Sequence, residues 1–174
     1  MRYILIAFSG IASAALLASY ASAQEPVTPG PASQGLVSQR NLSLGMAKTI
    51  AEATIAECHS KGFHTAAVVV DRAGQVLVLL RDEQTPPQAA EMARRKAFTA
   101  RLFRSTTLEF QKRTASDPTL APQRDVADIL ALGGGVPIQI GSEVIGGVGS
   151  AGSNQQMDDA CAKAGIAKVA ELLK

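Results

Sequence analysis

The sequence contains no tryptophan, and its two tyrosines, Tyr3 and Tyr20, both fall within the first 23 residues. Beyond that point the aromatic platforms on which single-stranded nucleic acids stack are almost absent. Charge of one sign is also missing. The formal net charge is +2, too small to argue for nucleic acid or an anionic membrane surface as partner. There is no G-x-S-x-G, no H-E-x-x-H and no C-x-x-C-H, and the two histidines and two cysteines show no zinc-ligand spacing. Hydrolase elbows, zincin helices and covalent c-type cofactor attachment are therefore unsupported. No apolar run has the length and flanks of a membrane span.

What is present begins with a leader. Arg2 supplies a positive start, Ile4 to Leu17 is mostly apolar, and Ala21-Ser22-Ala23 is an A-x-A cleavage site. Residues 1–23 are read as a signal peptide, and the product is expected to be exported, periplasmic or secreted, with no membrane association after cleavage. Residues 24–40 are rich in Pro, Gly and Ser and read as a flexible N-terminal arm. Residues 41–174 are long enough for one domain with a single core.

Along that domain the pattern alternates between periods. Leu44, Ala47, Ile50, Ala51, Thr54, Ile55 and Cys58 recur at helical spacing after a capping Asn41 or Ser43, and Gly62 stops the helix. Thr65 to Val70 is continuously apolar after its Thr, as in a strand buried on both faces. Asp71 to Gly74 is a turn, and Gln75 to Arg81 the return strand. Pro87 opens a second helix, with Ala89, Met92, Ala93, Lys96, Ala97, Ala100 and Phe103 inside and Arg94, Arg95, Arg101 and Arg104 mostly outside. A short helix follows a Thr106 or Thr107 cap.

Residues 133–154 hold eight of the fifteen glycines. Val136–Ile140 and Glu143–Val148 read as a hairpin around a Gly141-Ser142 primed turn. Gly147 to Gly152 matches G-x-G-x-x-G, but its preceding strand belongs to a hairpin, so structural use of these glycines is favoured over dinucleotide binding. A last helix runs from Gln155 to Leu173. The order is α-ββ-α-α-ββ-α. The expected architecture is α+β: a single antiparallel sheet of two hairpins with helices covering a face.

At Val69 to Gly74, Arg81, Lys96 to Ala100, Gly134 to Pro137 and Gly146 to Gly152, the chain resembles the GlcG/HbpS family, a domain of unknown function sometimes labelled haem-degrading. The resemblance spans about Asn41 to Leu173. It implies a profilin-like α+β fold, a homo-oligomer, and a haem- or tetrapyrrole-binding role. The chain departs from the family at Asp82-Glu83-Gln84-Thr85, where Met-Asp-Gly-Ala is usual, and at Ser150-Ala151-Gly152, where Ser-Gly-Gly is common.

If haem is the ligand, its iron takes His, Cys or Met here. The candidates are His64, His59, Met46, Met92, Met157 and the cysteines. His64 leads from an exposed turn into the first strand and is the first choice. His59 also suits a helix C-terminus as a cation. Arg81, Lys96 and Arg101 are candidates for the propionates, against ordinary surface pairing with Asp82, Glu83 or Glu91. The backbone N–H groups from Ser150 through Gly152 to Gln155 precede a helix and form a candidate anion site. Lys96 and Asp71 keep a small-carboxylate enzyme open, although Asp71 also suits a turn. Cys58 and Cys161 either form a disulfide, if the first and last helices pack antiparallel, or remain two buried thiols. The leading expectation is an exported haem-binding homo-oligomer for storage, sensing or delivery. The alternatives are an enzyme acting on a small carboxylate or on haem, and an assembly subunit without a small ligand.

Overall fold

In the computed structural model, Gly35 and residues 37–174 are described, and Ser38–Lys174 forms a compact unit. The expected leader over residues 1–23, and the arm over 24–34, lie outside the described residues. Helix α1 spans Leu44–Ser60, β1 Ala66–Val70, β2 Val76–Arg81, α2 Gln88–Phe103 and α3 Thr107–Ser116. A short 3-10 turn at Ala121–Asp125 leads to β3 (Gly135–Ile140), β4 (Glu143–Ala151) and α4 (Gln155–Ala167).

The caps are those the side chains dictate. Ser43 accepts a hydrogen bond from the Met46 N–H at the start of α1. Thr106 and Glu109 form a reciprocal capping box on α3, and Asn154 caps α4. Asp71 Oδ1 accepts from the N–H groups of Ala73 and Gln75, so that carboxylate shapes the β1–β2 turn. Gly141 sits at φ +58 between β3 and β4, as the first position of a II′ turn requires.

The four strands are antiparallel, in the order β2-β1-β4-β3. The second strand of each hairpin differs in placement: β4 lies inside the sheet and β2 at its edge. Central β1 is fully buried. Ala67 and Val69 face a core made with α1 and α4, whereas Ala66, Val68 and Val70 face α2. Helices therefore cover both faces, not one. A strand apolar at every position demands this, because each fully buried Val stabilises the fold by roughly 1.5–3 kcal/mol only if its own side is sealed from water.

Strand β4 extends to Ala151, past its expected end, because it pairs with β1 as far as Ala66 opposite Ala151. A Cβ on Gly149 would lie 2.0 Å from the Ala93 carbonyl oxygen, and one on Gly147 would lie 2.4 Å from that of Ala97. The glycines of β4 thus let the alanine side of α2 rest on bare backbone. They sit within a packed strand, not in a phosphate loop. Helix α4 ends at Ala167, earlier than the periodicity suggests, and Ala170–Leu172 forms a separate 3-10 turn.

Candidate functional site

Three side chains meet where the first hairpin opens. His59 lies in the last turn of α1, His64 two residues before β1, and Asp82 directly after β2. Pairing of Ala66 with Arg81 brings the flanking residues together, and the Asp82 N–H donates to the Thr65 carbonyl at 3.2 Å. Asp82 Oδ2 is bonded by His64 Nδ1 at 2.8 Å and by His59 Nδ1 at 3.2 Å. Its Oδ1 accepts from the Gln84 N–H at 3.2 Å. The two imidazole rings stand edge to face, 5.2 Å between centroids.

The Asp82 side chain is 6% exposed, against 32% for His64 and 64% for His59. The carboxylate is therefore the floor and the rings are the rim. The hydrogen bond from His64, joined by the Gln84 N–H, holds the Asp82 carboxyl below the usual carboxylate range, against the opposing effect of burial. An ionised carboxylate only accepts hydrogen bonds, so each Nδ1 facing it carries the proton. In a neutral ring that leaves Nε2 with its lone pair, the tautomer a metal-binding histidine uses when a carboxylate orients it. The donor set fits an imidazole-ligated iron. Nitrogen and oxygen atoms of all three residues also lie within 4.8 Å of one another, close enough to hold a bare metal ion.

The other sequence candidates separate into three groups. Arg81 is exposed beside Asp82, donates from Nη1 to the Thr85 carbonyl at 2.7 Å, and has no acidic partner among the described residues. Lys96 is 2% exposed and donates to Asp158 Oδ2 at 2.8 Å and to the Ser150 carbonyl at 2.9 Å. Burial lowers its pKa, and Asp158 opposes that shift. Lys96 thus ties α2 to β4 and α4 inside the protein and presents no charge to an exterior ligand. Ser150 is fully buried, with Oγ 3.8 Å from Cys58 Sγ. Ser153 donates its N–H and hydroxyl to Asp158 Oδ1, so an internal carboxylate occupies much of the loop read as an anion site.

Gly152 has φ +141, and a Cβ there would lie 2.4 Å from the His64 carbonyl oxygen. Its part is to let the chain pass close behind His64. Cys58 and Cys161 are disulfide-bonded, with Cα atoms 5.5 Å apart, joining α1 to α4 one residue before His59. Met46 and Met92 pack against the two cores.

Arg101 lies elsewhere. The backbone of α2 at Arg101 packs beside Gly147, which pairs with Val70, so Arg101 is at the Arg72 end of β1 and His64 at the other. The strand and its flanks put about 20 Å between them. One haem cannot span that distance from iron to propionate. Asp82 is the site residue that the sequence alone does not point to: there it stands only as a departure from the family pattern and as a surface partner for the basic residues. The available signal was its position one residue past the return strand, opposite the entry to β1.

Among known proteins, GlcG of Escherichia coli K12 is 31% identical over 108 residues, 62% of this chain and 79% of that protein. HbpS of Streptomyces reticuli, solved as a double mutant, is 34% identical and superposes with a TM-score of 0.72, covering 82% of this chain and 97% of its own. The structure of a PduOC–haem complex shares the fold at 23% identity and a TM-score of 0.66, covering 73% of this chain and 94% of its own. The family described as haem degrading protein HbpS-like matches residues 42–167, and the chain belongs to it.

Proposed function

We propose that the protein is an exported, homo-oligomeric haem-binding protein for storage, sensing or delivery, with His64 as the axial ligand. One observation carries this reading: two imidazoles share a nearly buried carboxylate that accepts a hydrogen bond from each Nδ1–H and leaves Nε2 of the half-exposed His64 for iron. Bound haem would supply redox and ligand-exchange chemistry at its iron. Asp82 orients His64, and Gly152 leaves room for its backbone. Arg81, exposed and without an acidic partner among the described residues, supplies the fork for a propionate. The family description and the haem complex of PduOC support the ligand class. The leader read in residues 1–23 supports export.

The test is a haem titration of the protein purified after leader removal, followed at the Soret band. Wild type should saturate and His64→Ala should not, while His59→Ala should bind more weakly. Loss of the band with release of a cleaved product would turn the binder into an enzyme acting on haem. A non-saturating wild-type titration removes haem from the reading.

The clustering of His59, His64 and Asp82 donor atoms within 4.8 Å favours a second reading, a bare divalent metal ion bound by the same residues. Zinc uptake by a protein that ignores haem, abolished in Asp82→Ala, would establish it.

A further inference from the structure

At the end of the sheet away from the histidines, a cavity of about 440 Å³ is lined by Gln39, Asn41, Arg72, Ala73 and Arg101. Its lining is polar except for Ala73. The volume suits a small molecule, and the polar lining suits a polar one.

Arg101 is the informative residue. Its Nε is buried and has no hydrogen-bond acceptor among the described residues. Other guanidinium groups nearby are committed. Arg72 Nη1 and Arg40 both bond Glu143, and Arg72 also bonds the Arg40 carbonyl. Arg94 pairs with Glu91 and Asp128, and Arg95 bonds the Ile129 carbonyl. Arg101 lines the pocket and has no acidic partner among the described residues, so its outer N–H groups are open to a ligand. Asn41 Oδ1 already accepts from the N–H groups of Leu42 and Arg72, so its side-chain amide nitrogen is the part left to a ligand. Of the five residues that line the pocket, Arg72 and Arg101 are cationic and none is acidic, although Arg72 is paired with Glu143. Asp71 Oδ1 is held by its own turn.

We propose that this cavity is a second site, separate from the histidine pair, that binds a small organic carboxylate on the Arg101 fork. A guanidinium receives a carboxylate through two parallel N–H groups, and with Nε buried the pair that faces the pocket is Nη1 and Nη2. Asn41 and Gln39 take a further polar group of the same ligand. The proposal does not depend on haem, since neither the ligand class nor the residues are shared.

Succinate is the probe, titrated calorimetrically into the full chain after leader removal, with ionic strength held constant by chloride. Saturable uptake of one succinate per chain is expected. Arg101→Met should weaken it at least about tenfold, the loss of a single charge-assisted contact of roughly 1.4 kcal/mol or more. Arg101→Lys keeps the charge without the fork and should fall between. His64→Ala should bind succinate like wild type. Arg101→Met should also melt no lower than wild type, because it removes an unpartnered donor; a purely structural arginine would behave in the opposite way. Absence of saturable uptake by wild type, or equal uptake by Arg101→Met, overturns the site. Phosphate or sulfate binding as tightly as succinate overturns the carboxylate assignment.

Discussion

His64 and Asp82, eighteen positions apart in sequence, meet through a 2.8 Å Nδ1–Oδ2 hydrogen bond where the first hairpin opens. Neither residue is placed by its own element alone. The β1–β2 register brings them opposite each other, and a glycine at 152 leaves room for the His64 backbone. Replacing Asp82 by Asn keeps the size and the Gln84 contact but removes the acceptor that fixes the ring tautomer. Loss of such a carboxylate partner costs roughly 10–100-fold in ligand affinity at a histidine-bound metal. Asp82→Asn should therefore weaken haem binding by about that factor in the same Soret titration, and lower the thermal midpoint at neutral pH by the stability that the ionised carboxylate contributes. Unchanged haem affinity would remove Asp82 from the site.

The same carboxyl sets a pH dependence. Its pKa in the folded protein lies below the ordinary value of 3.8, chiefly through the hydrogen bond from His64. The unfolded chain therefore takes up this proton first as pH falls. Stability from Asp82 is fully present above the unfolded value and is lost as pH drops through the folded one. Glu143, lowered by Arg72 and Arg40, and Glu91, lowered by Arg94, contribute to the same acid limb. Urea midpoints measured from neutral pH down through the carboxylate range should show Asp82→Asn with a shallower acid decline than wild type. Two parallel curves would mean that Asp82 gains nothing from its histidine partners.

Much of this fold is legible in the residues. The helical spacing of Leu44 to Cys58, the unbroken apolar run ending in Val68-Val69-Val70, and the Gly141-Ser142 turn each identify an element locally. The site is less legible because it depends on registers between elements. Asp82 reads as an odd charge until Arg81 is known to pair with Ala66. Lys96 falls on the inner face of its helix by spacing, but its partner is not legible until α4 places Asp158 against it. Arg101 and His64 read as parts of one pocket until the direction of α2 sends them to opposite ends of the sheet. The glycines at 147 and 149 announce close approach of something, and only the packed structure identifies it as the α2 backbone.

Lys96 and Asp158 are both 2% exposed and joined at 2.8 Å. Removing one partner of a buried pair leaves the other charged and uncompensated, at a cost of roughly 3–5 kcal/mol, whereas replacing both by apolar groups is often near neutral. Lys96→Met should lose stability in that range by urea unfolding. Lys96→Met with Asp158→Leu should recover much of it, although Ser153 and the Ser150 carbonyl then lose their partners. If the two single changes are additive in the double, the pair is not coupled and the lysine acts through packing alone.

Cys58 and Cys161 close a loop with a sequence separation of 103 and join α1 to α4. In the chain-entropy treatment a loop of this length restricts the unfolded chain enough to stabilise the fold by about 4–5 kcal/mol. Cys58→Ala with Cys161→Ala should therefore lower the unfolding free energy by roughly 2–5 kcal/mol, the usual range for a native bridge. Reductant should lower the wild-type midpoint and leave the double variant where it is. Because the bridge adjoins His59, the loosened end of α1 should weaken haem binding more in His64-dependent titrations than it alters succinate uptake at the far end of the sheet. Two titratable thiols in the denatured, unreduced protein would show that the bridge is not formed, and both effects would then have to vanish.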